Sequence, residues 1–212
     1  MFWNNIHEID QLLTLEINSW NSFITDPVWQ FFSAKLVWAP MYAAIIGLLI
    51  WKMGWKRGLI VLGAALLTFV FCDQFANLVK HAVGRIRPLH NPFMVDNGLH
   101  ILEGGGGLSF FSAHAANAFG LATCTFVAMK RILLPKGLGD GSTQKCSSCG
   151  RMPLWLKAYG IWIFIWAPLV AVSRIFVGKH YLGDILVGTL VGLLAGYAFA
   201  RLSAWACRKF IN

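Results

Sequence analysis

Apolar residues along this chain gather into long unbroken runs. They do not recur at the three-to-four-residue interval of a soluble amphipathic helix. The runs Leu36–Met53, Leu59–Val79, Phe110–Met129, Leu154–Val172 and Ile185–Cys207 are each about as long as the ~17–25 residues that cross a hydrocarbon core. Each therefore predicts a membrane-spanning helix. Five such helices leave too few residues for a separate soluble domain, so residues 1–212 read as a single all-α, polytopic membrane domain.

The start of the chain has a different pattern. Ile9–Phe32 scatters Leu12, Leu13, Leu15, Ile17, Trp20, Phe23 and Ile24 among acids and amides. That mixture predicts a helix or helical hairpin lying in the membrane interface over residues 1–35. A sixth, tilted span is the alternative, making five to six spans in all. The first residues do not read as a signal peptide, because Asn4, Asn5, His7, Glu8 and Asp10 interrupt them and no basic stretch precedes an apolar one.

Composition agrees with this pattern. Apolar residues make up 57% of the chain, against about 45–50% in soluble domains. Charge adds an orientation. Of 18 Lys and Arg, all but Lys35, Lys80, Arg85, Arg87, Arg174 and Lys179 fall on one side if the five spans alternate. Basic residues near span ends are retained in the cytoplasm, so that side, including the loop 130–157, is predicted to be cytoplasmic. The formal charge of +9 is then mostly topology and no argument for nucleic acid, for which the sequence also carries no recognised motif. Cys72, Cys124 and Cys207 sit in apolar runs, where a thiol behaves as a small hydrophobe. Cys146 and Cys149 form a CxxC in the Gly/Ser-rich connector Gly137–Gly150. Structural zinc wants four ligands, and the loop offers no other Cys or His, so a solvated loop is the expectation there.

The basic residues that escape the cytoplasmic side fall into clusters on the opposite face. In KHAVGRIRP, Lys80 and Arg87 are seven apart and would share a helix face, with Pro88 ending the helix. Arg85 points away from them and reads as a headgroup or surface contact. Taken alone, the cluster also fits a basic anchor for lipid phosphates. In SFFSAHAAN, Ser112, Ala113 and His114 open the third span at a helix N-terminus, where free N–H groups bind phosphate; the preceding glycines Gly104–Gly107 let the chain approach closely. An ordinary Ser cap is the simpler alternative. In SRIFVGKHYLGD, His180 and Asp184 are four apart. If helical, they can share a hydrogen bond that frees the second imidazole nitrogen to act as nucleophile or base. A snorkelling Arg174 beside an interfacial His–Asp pair is the bland reading. Three cations, a helix N-terminus and two histidines on one face suit an anion. A metal held by His114, His180 and Asp184 would face three fixed positive charges, so no metal and no other cofactor is expected.

With these residues in place, the sequence resembles the type 2 phosphatidic acid phosphatase superfamily, whose pattern is K-x6-RP, then PSGH, then SR-x5-H-x3-D. Lys80 to Arg87-Pro88 matches the first element, and Ser173-Arg174, His180 and Asp184 match the third. The middle element is Phe111-Ser112-Ala113-His114, which keeps Ser and His but replaces Pro and Gly. The resemblance implies a bacterial membrane-lipid phosphatase with a phosphohistidine on His180, oriented by Asp184. Lys80, Arg87, Ser112, the Ala113 N–H and Arg174 would bind phosphate, and His114 would be general acid and base. Its implied partners are the bilayer and a phosphorylated lipid such as undecaprenyl diphosphate, lipid A or a glycerophospholipid. The implied location is the inner membrane, with the site on the periplasmic or outer side; the oligomeric state stays open. Two alternatives stand beside this reading: a lipid phosphotransferase on the same scaffold, and an anion transporter. The spans hold few ionisable residues beyond Asp73, which lies seven before Lys80 and reads as its structural partner rather than a transport site.

Overall fold

A computed structural model describes residues 2–134 and 152–211; the CxxC motif and Gly137–Gly150 lie outside them. Helices α1 (Phe2–Asn18) and α2 (Asp26–Ser33) come first, and a 3-10 turn at Leu36–Trp38 leads into α3 (Ala39–Met53). Then follow α4 (Trp55–Val83), the short α5 (Pro92–Asp96), α6 (Ala113–Leu133), α7 (Leu154–Phe176) and α8 (Leu182–Phe210). The chain is an all-α integral membrane protein. Among the described residues, four segments are long and apolar enough to cross a membrane: Leu36–Met53, α4, α7 and α8. The fifth expected span, α6, matches them in length with 21 residues. Its sequence is poorer in large apolar residues because it meets protein rather than lipid. It packs against α4, α7 and α8, and Ala115, Ala116, Ala118, Ala122, Cys124 and Ala128 on it are all buried.

Small residues set the closest approach in the bundle. Gly188, Gly192 and Gly196 on α8 face Ser112, Ala116 and Gly120 on α6, each series four residues apart. A Cβ added at Gly188 would lie 2.5 Å from the Ser112 carbonyl oxygen, and one at Gly196 would lie 2.6 Å from that of Gly120. Without side chains between them the two backbones come together, as in small-xxx-small membrane interfaces. This seam brings the N-termini of α6 and α8 to the same end of the bundle.

The N-terminal segment is a helix–turn–helix, and among the described residues neither α1 nor α2 is long and apolar enough to cross a membrane. Its polar stripe is the buried one. Gln11, Thr14 and Asn18 on α1 are covered by protein, whereas Ile6, Ile9, Leu12 and Leu13 are exposed. The helix thus turns its polar face onto the bundle and leaves its apolar face exposed. Asn18 Nδ2 donates to the Ile175 carbonyl at 2.9 Å, and Asn18 Oδ1 accepts the His100 N–H at 2.7 Å. The α2 helix docks on α7 through Trp29 stacked on Phe176, with ring centroids 4.0 Å apart.

Candidate active site

The C-terminal ends of α4 and α7 meet the N-terminal ends of α6 and α8, so chain direction alone carries all three basic clusters to one end. The α3–α4 turn with Lys52, Lys56 and Arg57, and the α6 and α8 C-termini with Lys130, Arg131, Arg208 and Lys209, lie at the other.

The first cluster is not built as the sequence spacing suggests. Gly84 adopts a left-handed conformation (φ 67°) and donates its N–H to the Lys80 carbonyl, ending α4 at Val83. This is the glycine stop at a helix C-terminus; it acts four residues before Pro88. Arg85–Arg87 are therefore extended, with Ile86 bridged to Leu108. Lys80 stays on the helix and Arg87 reaches the same cavity from the loop. Arg85 is no surface contact. Its Nη1 donates to Asp184 Oδ1 at 2.9 Å, and its Nη2 to Asp10 Oδ2 at 2.6 Å. Desolvated carboxylates at both ends of the fork hold it inward.

The glycine run has a job that its flexibility alone did not disclose. Gly105 (φ 91°) and Gly106 (φ 79°) wrap the Arg87 guanidinium so closely that a Cβ at Gly106 would fall 2.5 Å from its central carbon. Arg87 Nε donates to the Leu108 carbonyl at 3.0 Å and Nη1 to that of Gly105 at 3.1 Å. Two of its five N–H donors are committed in this way, which aims the fork without consuming it.

At the opening of α6, Ser112 is fully buried and its side chain accepts the Ala115 N–H at 3.4 Å. Its own N–H donates to the Asp184 carbonyl at 3.0 Å. Ser112 thus sits as a helix cap behind the cavity wall. Ala113 and His114 line the cavity itself.

The third cluster forms the His–Asp pair, although not as two residues of one helix. His180 precedes α8, and Asp184 lies in its first turn. The Asp184 Oδ2 accepts the Tyr181 N–H at 3.1 Å and lies 3.2 Å from His180 Nδ1. Both side chains are buried. With Nδ1 engaged, Nε2 is the free nitrogen. Burial lowers the His180 pKa to about 4, against the Asp184 hydrogen bond and charge that raise it. The imidazole is therefore neutral near pH 7 and its free nitrogen carries a lone pair.

Arg174 is buried against Ser33 of α2, to which its Nη1 donates, and lies 3.7 Å from Glu103 Oε2. Among the described residues its buried Nε has no protein acceptor. Glu103 Oε2 also accepts from Lys179 Nζ at 2.7 Å. Burial raises the Glu103 pKa, but the Lys179 and Ser33 hydrogen bonds and the Arg174 charge outweigh it and leave it lowered.

These residues enclose a polar cavity of about 500 Å³ lined by Lys35, Lys80, Arg87, Arg174 and Lys179, with His114, His180, Asp73 and Glu103. The structure thus gathers Lys80, Arg87, Ala113, His114, Arg174 and His180 at one cavity. Asp184 lies behind His180, and Ser112 behind Ala113. Asp73 shares the cavity wall with Lys80. A second cavity of about 490 Å³ runs between α3, α4 and α6, lined by Leu49, Leu62, Leu66, Phe69, Leu121 and Trp166 among other apolar residues. Ser33, Ala34, Lys35, Asp73, Ala113 and His114 border both. Sequence reasoning assigned no role to Ser33, Lys35 or Glu103. Among the described residues no group of three or more His, Cys, Asp or Glu is placed to share a metal ion.

The profile of the PAP2 superfamily matches residues 57–208. The chain belongs to the PAP2 superfamily. It is 32% identical over 197 residues to a lipid A 4'-phosphatase of Bacteroides thetaiotaomicron, covering 92% of this chain and 76% of that protein. A lipid A 4'-phosphatase of Porphyromonas gingivalis is 29% identical over 210 residues, 98% of this chain and 78% of its own length. Among solved structures, the PAP2-type phosphatidylglycerolphosphate phosphatase of Bacillus subtilis superposes with a TM-score of 0.68 at 18% identity, covering 98% of this chain and 90% of that one. LpxE of Aquifex aeolicus gives a TM-score of 0.57 at 20% identity, covering 89% and 93%. At such identities these two likenesses are of fold. The expected PAP2 membership and all-α membrane architecture are both borne out, and the three PAP2 motifs converge on the polar cavity.

Proposed function

We propose that this PAP2 protein is a membrane phosphatase that removes a phosphate monoester from a lipid A-type acylated sugar, through a phosphohistidine on His180 and without a metal ion. One observation carries the reading: a cavity lined by five cations borders, across six shared residues, an apolar cavity of similar volume. An amphiphile with a phosphate at one end and acyl chains at the other fits that pair. Lipid A 4'-phosphatase as the activity of the two relatives supports the same substrate class.

The chemistry follows from the groups present. Lys80, Arg87 and Arg174, with the Ala113 N–H, hold the phosphate oxygens and stabilise charge that redistributes in the transition state. His180 Nε2 attacks phosphorus while the phosphorus–oxygen bond to the lipid breaks. The leaving oxygen takes a proton from His114, whose imidazolium form the negative charge of the bound phosphate favours. Asp184 on Nδ1 keeps the imidazole in the attacking tautomer and offsets the positive charge of the phosphohistidine. Water then attacks phosphorus, gives its proton to His114 and displaces His180 Nε2, releasing inorganic phosphate. Ser112 supports this arrangement as the cap that fixes Ala113 and His114. The cationic ends opposite the site favour a cytoplasmic side there, which supports a reaction on the periplasmic side of the inner membrane.

The test is phosphate release by the purified protein from lipid A, phosphatidylglycerophosphate and undecaprenyl diphosphate, with and without EDTA. The account expects lipid A to be the best substrate, EDTA to be without effect and His180→Ala to be inactive. Loss of activity in EDTA, or no phosphate release from any of the three, would overturn it.

A further inference from the structure

The polar stripe of α1 is buried against the start of α8, the stretch that carries Asp184. Asp10 Oδ1 accepts the Gly183 N–H at 2.7 Å, and Thr14 Oγ1 accepts the Leu182 N–H at 3.0 Å. These two first-turn donors of α8 have no partner within their own helix. The second Asp10 oxygen binds Arg85, whose other fork arm binds Asp184 Oδ1. Arg85 is held on further sides as well. Its guanidinium carbon stacks 3.6 Å from the Tyr181 ring centroid, and Nη2 lies 3.2 Å from His7 Nδ1. Burial and the Arg85 charge lower the His7 pKa, which favours a neutral ring able to accept that contact. The chain thus continues without a gap: His180, Asp184, Arg85, Asp10. Its last member lies on a helix outside the segment matched by the PAP2 profile.

We propose that Arg85, braced by Asp10 of α1, is a positioning residue for catalysis: it fixes the Asp184 carboxylate against His180 and shares its negative charge. This rests on the reading of His180 as the nucleophile. The physical argument is one of electrostatics in a buried site. Asp184 has no exposed surface, so its charge acts on His180 at short range and low dielectric. A guanidinium 2.9 Å from its other oxygen withdraws part of that charge. Asp10, 2.6 Å from the same guanidinium, withdraws part of Arg85 in turn. The sharing sets how strongly Asp184 polarises the imidazole, and α1 takes part in setting it. Around His180 the other charged or titratable neighbours are Arg174 from α7, Arg87 and Lys179 from the loops and His114 from α6; Tyr181 and His7 flank Arg85.

The test uses the full chain in detergent micelles with a lipid phosphate it hydrolyses, comparing Arg85→Gln, Arg85→Lys and Asp10→Asn with wild type and with His180→Ala. Asp10→Asn keeps an acceptor for Gly183 and loses only the carboxylate facing Arg85. Losing the charge-assisted bond to Asp184 predicts a kcat for Arg85→Gln lower by about 10–100-fold, with KM nearly unchanged because the cavity cations remain. Arg85→Lys restores part of it. The acid limb of the pH–rate profile supplies the sign. In Arg85→Gln the undivided Asp184 charge favours the imidazolium, so the limb moves to higher pH. In Asp10→Asn, Arg85 acts on Asp184 alone and the limb moves to lower pH. Shifts in these opposite directions support the proposal. Wild-type kcat in Arg85→Gln overturns it, and so do limbs that stay in place in both variants while only thermal stability falls. Activity in His180→Ala would instead refute the nucleophile reading, a result separate from either.

Discussion

The two cavities of this protein are nearly equal in volume, about 500 and 490 Å³, and opposite in lining. One is walled by five cations and two histidines, the other almost wholly by aliphatic and aromatic side chains. A soluble phosphate would need only the first, and a plain hydrocarbon only the second. On the proposed reading, recognition is divided: charge captures the reacting group, and burial of apolar chains places the rest of the molecule. The division also explains where chemistry sits. His114 belongs to both walls, which on the proposed reading is where a leaving oxygen needs its proton.

That comparison can be broken in two ways, with effects of different size. Replacing His114 by Ala removes a group shared by both cavities and, with it, the proposed proton donor. Turnover should fall by about 10²–10⁴-fold on every substrate, whatever its chain length; phosphate release from long- and short-chain substrates checks it. A uniform loss sharpens the comparison, and a loss confined to long chains would make His114 a wall residue only. Leu62→Trp, in the apolar cavity alone, should act more weakly and selectively. Filling part of that space should lower kcat/KM by about tenfold on a lipid with long acyl chains and leave a short-chain, water-soluble phosphate ester unaffected. Equal loss on both would mean that the second cavity is not where the chains go.

Much of this was legible in the residues. Long apolar runs announced the bundle because lipid contact demands them, and the run weakest in large side chains, that of α6, proved to be the one shielded by its neighbours. Lys80, Arg87, His114, Arg174, His180 and Asp184 were legible because their chemistry and spacing are local. What stayed hidden has a physical reason in each case. A helical projection carried through to Pro88 turned Arg85 outward, whereas Gly84 ends the helix first and the extended segment turns it in. Asp10 and Ser33 reach the site across 75 and 141 residues of chain, distances over which no periodicity speaks. The polar residues of α1 carried no assigned role in the sequence, yet Thr14 and Asn18 are buried, because they bond the α8 N-terminus and the α7 C-terminal carbonyls, which lie far away along the chain. The four glycines suggested a close approach to phosphate, and two of them, Gly105 and Gly106, wrap the Arg87 guanidinium instead.

The most direct measurement is to catch the phosphate in transit. A lipid substrate carrying labelled phosphate, mixed with the enzyme and quenched in base within one turnover, should leave an acid-labile label on the peptide that contains His180. The label should persist longer in His114→Ala, if that variant still forms it, because water is then poorly activated. It should be absent from His180→Ala. A label that survives acid, or that forms equally in His180→Ala, would contradict the assignment of His180 as the nucleophile.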